Sequence, residues 1–130
     1  MKKLLLTIQF VFFAILIFAQ SPQAFKHQAV VRDNAGGIIS NQPVSFRINI
    51  LDGSAVGTVI YQETHNVITN QFGIAIMEIG NGTEVVGTFT NIDWGNNSKF
   101  MELELDPTGG TNYLLMGTTQ MMSVPYALHS

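Results

Sequence analysis

Pro43 to Gly80 reads PVSFRINILDGSAVGTVIYQETHNVITNQFGIAIMEIG, three candidate strands separated by two turn signals. In the first strand Val44, Phe46, Ile48 and Ile50 alternate with Ser45, Arg47 and Asn49. A period of two sends one apolar row to a core and one polar row to water. In Thr58–Thr69 the residues Val59, Tyr61 and Val67 share a face with Glu63 and His65, and Ile60 and Ile68 lie on the other. That mixed pattern predicts a strand that bends, changes neighbours midway or lies at a sheet edge. Ile74–Ile79 is apolar on both faces, the pattern of a central strand in a sandwich.

The flanking sequence repeats the theme. Phe25–Asp33 is a strand candidate, and Asn34-Ala35-Gly36-Gly37 is a tight turn that leads into a short return strand at Ile38–Ser40. Thr83–Ser98 is irregular, with Phe89, Ile92 and Trp94 placed to form one helical turn or an ordered loop over an open end of the core. Lys99–Asp106 alternates Met101, Leu103 and Leu105 with Phe100, Glu102 and Glu104. Asn112–Ser123 is the last strand candidate, and Pro125 ends it. Short strands, closely spaced turns and no 3.6-residue period predict an all-β fold: an antiparallel sandwich of about seven strands, transthyretin-like or Ig-like.

The N-terminus is of another kind. Lys2 and Lys3 precede an apolar run from Leu4 to Phe18, then Ala19 and polar Gln20-Ser21-Pro22. This is the pattern of a secretory signal peptide, 1–19, with its apolar helix; the run is short of the roughly 20 residues a spanning helix needs. A single domain is expected over 20–130, with a tail at 123–130. The chain holds six basic and nine acidic residues. Loss of the leader leaves four basic residues against nine acidic ones, a balance that argues against nucleic acid and anionic membrane partners. There is no cysteine, so no disulfide supports the exported fold and no thiolate is available for catalysis or zinc.

No catalytic constellation is readable. His27, His65 and His129 lie in separate segments without the paired spacing of zinc sites, and they read as ordinary polar residues of strand faces. Glu102 and Glu104 read as a solvated face opposite a buried one. Asp33-Asn34 and Asp93–Asn97 match no calcium loop and read as turns. No G-x-S-x-G and no phosphate-binding glycine pattern occurs. The chain is therefore expected not to be an enzyme, and no metal or cofactor is expected. Candidate interaction residues are Trp94, with Phe89 and Tyr113 as an aromatic group able to stack on sugar, and Met121, Met122, Tyr126 and Leu128 in the apolar terminus.

The segments Gln28–Asp33, Glu63-Thr64-His65, Asp93-Trp94-Gly95, Asp106–Gly110 and Ser123–Leu128 stand together in one chain. Across roughly His27 to Leu128 it resembles a short N-terminal domain that opens many secreted and cell-surface proteins of Bacteroidetes-type bacteria, ahead of collagen-like or tail-fibre-like regions. Asp33–Gly36 with Ile39, Pro43 and Val44 is also similar to the first hairpin of transthyretin-like and carboxypeptidase-regulatory sandwiches. The first resemblance implies a non-catalytic structural or interaction module, the leader domain of a larger surface or fibre-like protein. It implies export to the cell surface or medium, with outer-membrane or periplasmic retention as variants. Expected partners are a downstream region of the same protein or other surface proteins. A carbohydrate-binding sandwich that uses Trp94 is the alternative.

Overall fold

The structure is a computed structural model and describes residues 24–121. The expected signal peptide, and Met122, Tyr126 and Leu128, lie outside the described residues. The described residues hold seven strands: β1 (Phe25–Val30), β2 (Pro43–Asp52), β3 (Thr58–Ile68), β4 (Ile74–Ile79), β5 (Thr83–Val86), β6 (Lys99–Asp106) and β7 (Leu114–Met121). They make two antiparallel sheets, a five-stranded one in the order β5-β3-β2-β6-β7 and a two-stranded one of β1 and β4. The sheets pack as a sandwich, and the all-β expectation of about seven strands holds.

β2 is the centre of the large sheet, paired along its length with β3 on one side and β6 on the other. Its alternation does what the sequence pattern predicts. Val44, Phe46, Ile48 and Ile50 are buried, and register places Phe46 beside Leu105, Ile48 beside Leu103 and Ile50 beside Met101. Ala75, Met77 and Ile79 of β4 join the same core from the small sheet. The opposite row of β2 forms a polar ladder on the outer face. Glu104 accepts two hydrogen bonds from Arg47, at 2.6 and 2.9 Å, and Asn49 donates to both Glu102 and Glu104 at 2.8 Å. Gln62 of β3 donates to Asn49 at 2.7 Å and extends the ladder across three strands. Glu102 and Glu104 thus face outward as the alternation predicts, but are tied to their neighbours.

Three features differ from the sequence pattern. Ile74–Ile79 is not a central strand: β4 leaves the large sheet and, among the described residues, pairs only with β1, and its outer face carries an exposed Ile76. The crossing is made by Thr69–Gly73, where Asn70 Oδ1 accepts the amides of Phe72 and Ile74 and Gly73 takes φ 76°. The return strand at Ile38–Ser40 is reduced to one bridge between Arg32 and Ile38. Thr83–Val86, by contrast, is a strand, and it occupies the edge of β3 that the crossing vacates. The mixed pattern of β3 corresponds to register shifts at Ile50/Leu51 and Gln62/Glu63. The strand is bulged, and β5 leaves much of its outer edge open.

Ile48 has no exposed surface and sits mid-strand in the central strand. Ile48→Ala is therefore expected to lower unfolding free energy by about 2–5 kcal/mol. Val56→Ala, at a position 93% exposed, should change it by no more than about 0.5 kcal/mol. Urea unfolding of the two variants checks both.

Candidate functional site

β3 carries Tyr61, Glu63 and His65 at alternate positions, so all three face the core opposite Ile50, Ile48 and Phe46 of β2. Glu63 has no exposed surface. Its Oε1 accepts the Tyr61 hydroxyl at 2.5 Å and the Gly80 amide at 2.8 Å, and its Oε2 faces His65 Nε2. Gly80 follows the last residue of β4, so the carboxylate ties the large sheet to the small one. A Cβ at Gly82 would stand 2.6 Å from His65 Nε2 and 2.7 Å from Glu63 Oε2. Only a residue without a side chain can close over the pair so tightly.

A carboxylate, an imidazole and a phenol in contact are the parts of a proton relay. Here they are sealed: the His65 side chain is 9% exposed and the Glu63 side chain not at all. Burial by itself would raise the pKa of Glu63, but the bonds from His65, Tyr61 and the Gly80 amide outweigh it and hold the carboxyl below its ordinary value. Burial first, and then the bond to Glu63, pushes the Tyr61 phenol far upward, so it remains a donor. The trio is a polar lock inside an apolar core, centred on a carboxylate whose partners favour its ionised form.

Trp94 stands at one end of the sandwich. A 3-10 turn at Phe89–Asn91 inserts Phe89, which is buried and meets Tyr61, Trp94 and Phe25 at centroid distances of 5.4, 5.7 and 6.2 Å. The turn and loop that the sequence predicts over the core end are thus present, with Trp94 partly buried and edge-on to Phe89. Tyr113 is not part of this group; it lies on the outer face under the Arg47 guanidinium, 4.6 Å from the ring centroid. Beside the loop is a cleft of about 390 Å³ whose walls include Asp52, Thr88, Asn91, Asp93, Asn96 and Lys99. The buried Lys99 ammonium donates to Asp52 at 2.9 Å and to the carbonyls of Asn96 and Asn97. An internal cation, the Lys99 ammonium, therefore takes up the oxygens that Asp52 and the Asn96-Asn97 turn present there.

The other loop carboxylates are consumed locally. Asp33 accepts the amides of Ala35 and Gly37, and Asp106 accepts from Thr108 and Asn112. Among the described residues no group of three His, Cys, Asp or Glu could hold a metal ion, and no buried side-chain polar atom lacks a partner. Met121 ends β7 with its side chain against the core. The sequence reading missed the role of His65, which it took for an ordinary polar residue of a strand face. The signal was present: Tyr61, Glu63 and His65 share the parity of apolar Val59 and Val67.

With the geometry in place, comparison with protein families finds one model, described as a domain of unknown function (DUF8740), matching residues 26–120. The chain belongs to this family. No curated protein and no solved structure matches it. The DUF8740 match takes in all of β2–β6, and with them the Glu63 lock, the polar ladder and the Phe89–Trp94 plug.

Two outcomes test the lock. Glu63→Ala leaves the Tyr61 hydroxyl, His65 and the Gly80 amide without their common acceptor, and is expected to cost about 3–5 kcal/mol in denaturant unfolding. The second is a two-step loss of stability on acidification. His27, half-buried on β1, is held below its ordinary value of 6.5 by burial, so protonation favours the unfolded chain as pH falls below 6.5. Glu63 and Glu104, the latter held low by Arg47, are both depressed below 4.5, so their contribution is complete above 4.5 and is lost as pH falls through the folded-state values. Unfolding midpoints measured across pH should show both declines, and His27→Gln should abolish the upper one.

Proposed function

We propose that this protein is an exported, non-catalytic structural and interaction module of a bacterial cell surface, the leader domain of a larger surface or fibre-like assembly. One observation carries the reading. Among the described residues β7 is an eight-residue edge strand exposed along nearly its whole length, with Leu114 and Leu115 more than 60% open to solvent. A strand edge with exposed apolar side chains is a template for pairing with other chains. The chemistry-bearing groups point the same way, since Glu63, Glu104, Asp33 and Asp106 are committed to partners within the fold. Export rests on the leader pattern of residues 1–19, and the surface setting on the resemblance carried by Gln28–Asp33, Asp93–Gly95 and Ser123–Leu128.

Protease added to intact producing cells tests this reading. The expected result is digestion of a chain whose N-terminus begins at Gln20, with Leu115→Lys reducing its retention at the cell surface. Recovery of an intact, leader-bearing chain from the cytoplasm would overturn it.

A further inference from the structure

The chain leaves the large sheet through Thr69–Gly73 and returns to it through Gly80-Asn81-Gly82, the three residues between β4 and β5. Both glycines of the return are held by the lock. The Gly80 amide donates to Glu63 Oε1 at 2.8 Å, and a Cβ on Gly82 would stand 2.7 Å or less from Glu63 Oε2, His65 Nε2 and the Thr64 carbonyl. Asn81, between them, is exposed. Its backbone amide donates to the Glu78 carbonyl at 3.1 Å, and its side-chain Nδ2 donates to Glu78 Oε2 at 2.7 Å. The link between two fixed glycines is thus a surface asparagine.

An asparagine followed by glycine has its own chemistry. The next residue's amide nitrogen can close a five-membered ring on the asparagine Cγ, and it does so most readily when that residue has no side chain in the way. Asn81 is the one asparagine of the chain that precedes glycine; Asn49, Asn66 and Asn91 precede isoleucine or valine. Hydroxide takes the Gly82 N–H proton, the nitrogen bonds to Asn81 Cγ, and the Cγ–Nδ2 bond breaks with release of ammonia. Water then opens the cyclic imide. Addition at Cγ gives aspartate. Addition at the main-chain carbonyl gives isoaspartate, whose backbone runs through the former side chain and is one carbon longer. Water is the sole co-reactant, and nothing is oxidised or reduced.

We propose that Asn81-Gly82 is a site of self-modification by water, set into the joint between the two sheets, and that its conversion to isoaspartate opens the Glu63 lock. The added backbone carbon lies between Gly80 and Gly82. The turn then no longer holds the Gly80 amide on Glu63 and Gly82 against His65 at the same time. Both products also set a carboxylate beside Glu78, where the intact side chain donates a hydrogen bond, and like charges in contact repel. The coupling runs in the other direction too. Ring closure draws Asn81 and Gly82 from their packed positions, so local opening of the turn limits the rate.

Peptide mass spectrometry of the purified chain, aged for weeks at mildly alkaline pH, tests this. The peptide that holds Asn81 should show replacement of NH2 by OH at least about tenfold faster than a peptide holding any other asparagine, and should resolve into aspartate and isoaspartate forms. Asn81→Ser should abolish the change. The isoaspartate form of the intact chain, isolated by chromatography, should exchange its Gly80 amide at least about tenfold faster than Asn81→Asp, which supplies the carboxylate without lengthening the backbone. Conversion no faster at Asn81 than at the other asparagines would overturn the proposal. So would an isoaspartate form whose Gly80 amide exchanges no faster than that of Asn81→Asp.

Discussion

A carboxylate with no exposed surface must be satisfied by its neighbours, and Glu63 is satisfied from three positions in the chain. Tyr61 and His65 reach it along β3, and the Gly80 amide reaches it from the end of β4 in the other sheet. Burying a charge is costly unless it is paired and hydrogen-bonded, so the fold that provides these partners is sharply distinguished from one that does not. A sandwich held by apolar packing alone tolerates sliding of one sheet over the other. A carboxylate that requires the Gly80 amide does not. The crossing at Thr69–Gly73, the close approach of Gly82 and the contact of Phe89 with Tyr61 all depend on that register.

The outer face of the large sheet follows a different logic. Arg47, Asn49, Gln62, Glu102 and Glu104 form a ladder across β3, β2 and β6 in which each partner also meets solvent or a second partner. Half-exposed pairs of this kind contribute modestly to stability. They align the three central strands and keep that face unattractive to apolar partners. Exposed apolar side chains lie elsewhere, on β5, at Ile68 and Phe72 around the crossing, at Ile76 of β4 and along β7.

Much of this was legible in the residues. The row Val44, Phe46, Ile48, Ile50 defined a buried strand, Lys99–Asp106 showed a second one of the same alternation, and Phe89 with Trp94 marked a cover at the core's end. What escaped was the destination of β4. IAIMEI is apolar on both faces in a central strand and in a two-stranded sheet with an exposed outer isoleucine, and local pattern does not separate the two. β5 escaped because its four residues are all exposed and show no alternation of burial. Glu63 and His65 were placed on the correct face, yet polar residues on a core-facing row acquire meaning only when the opposite sheet supplies Gly80, 17 positions away. Lys99 is similar: its position in sequence says nothing of the three oxygens around it, one from Asp52 at the end of β2 and two from the Asn96-Asn97 turn. Membership of the DUF8740 family extends over the same strands without adding a chemical role.

The central claim is that Glu63 is an ionised inter-sheet link rather than a carboxyl that burial has neutralised. The side-chain carboxyl carbon of Glu63, followed by NMR as pH is lowered, reports its charge directly. The account predicts that Glu63 remains ionised below 4.5, its ordinary value, and protonates only as the fold is lost. A midpoint above that value in the folded protein would contradict it.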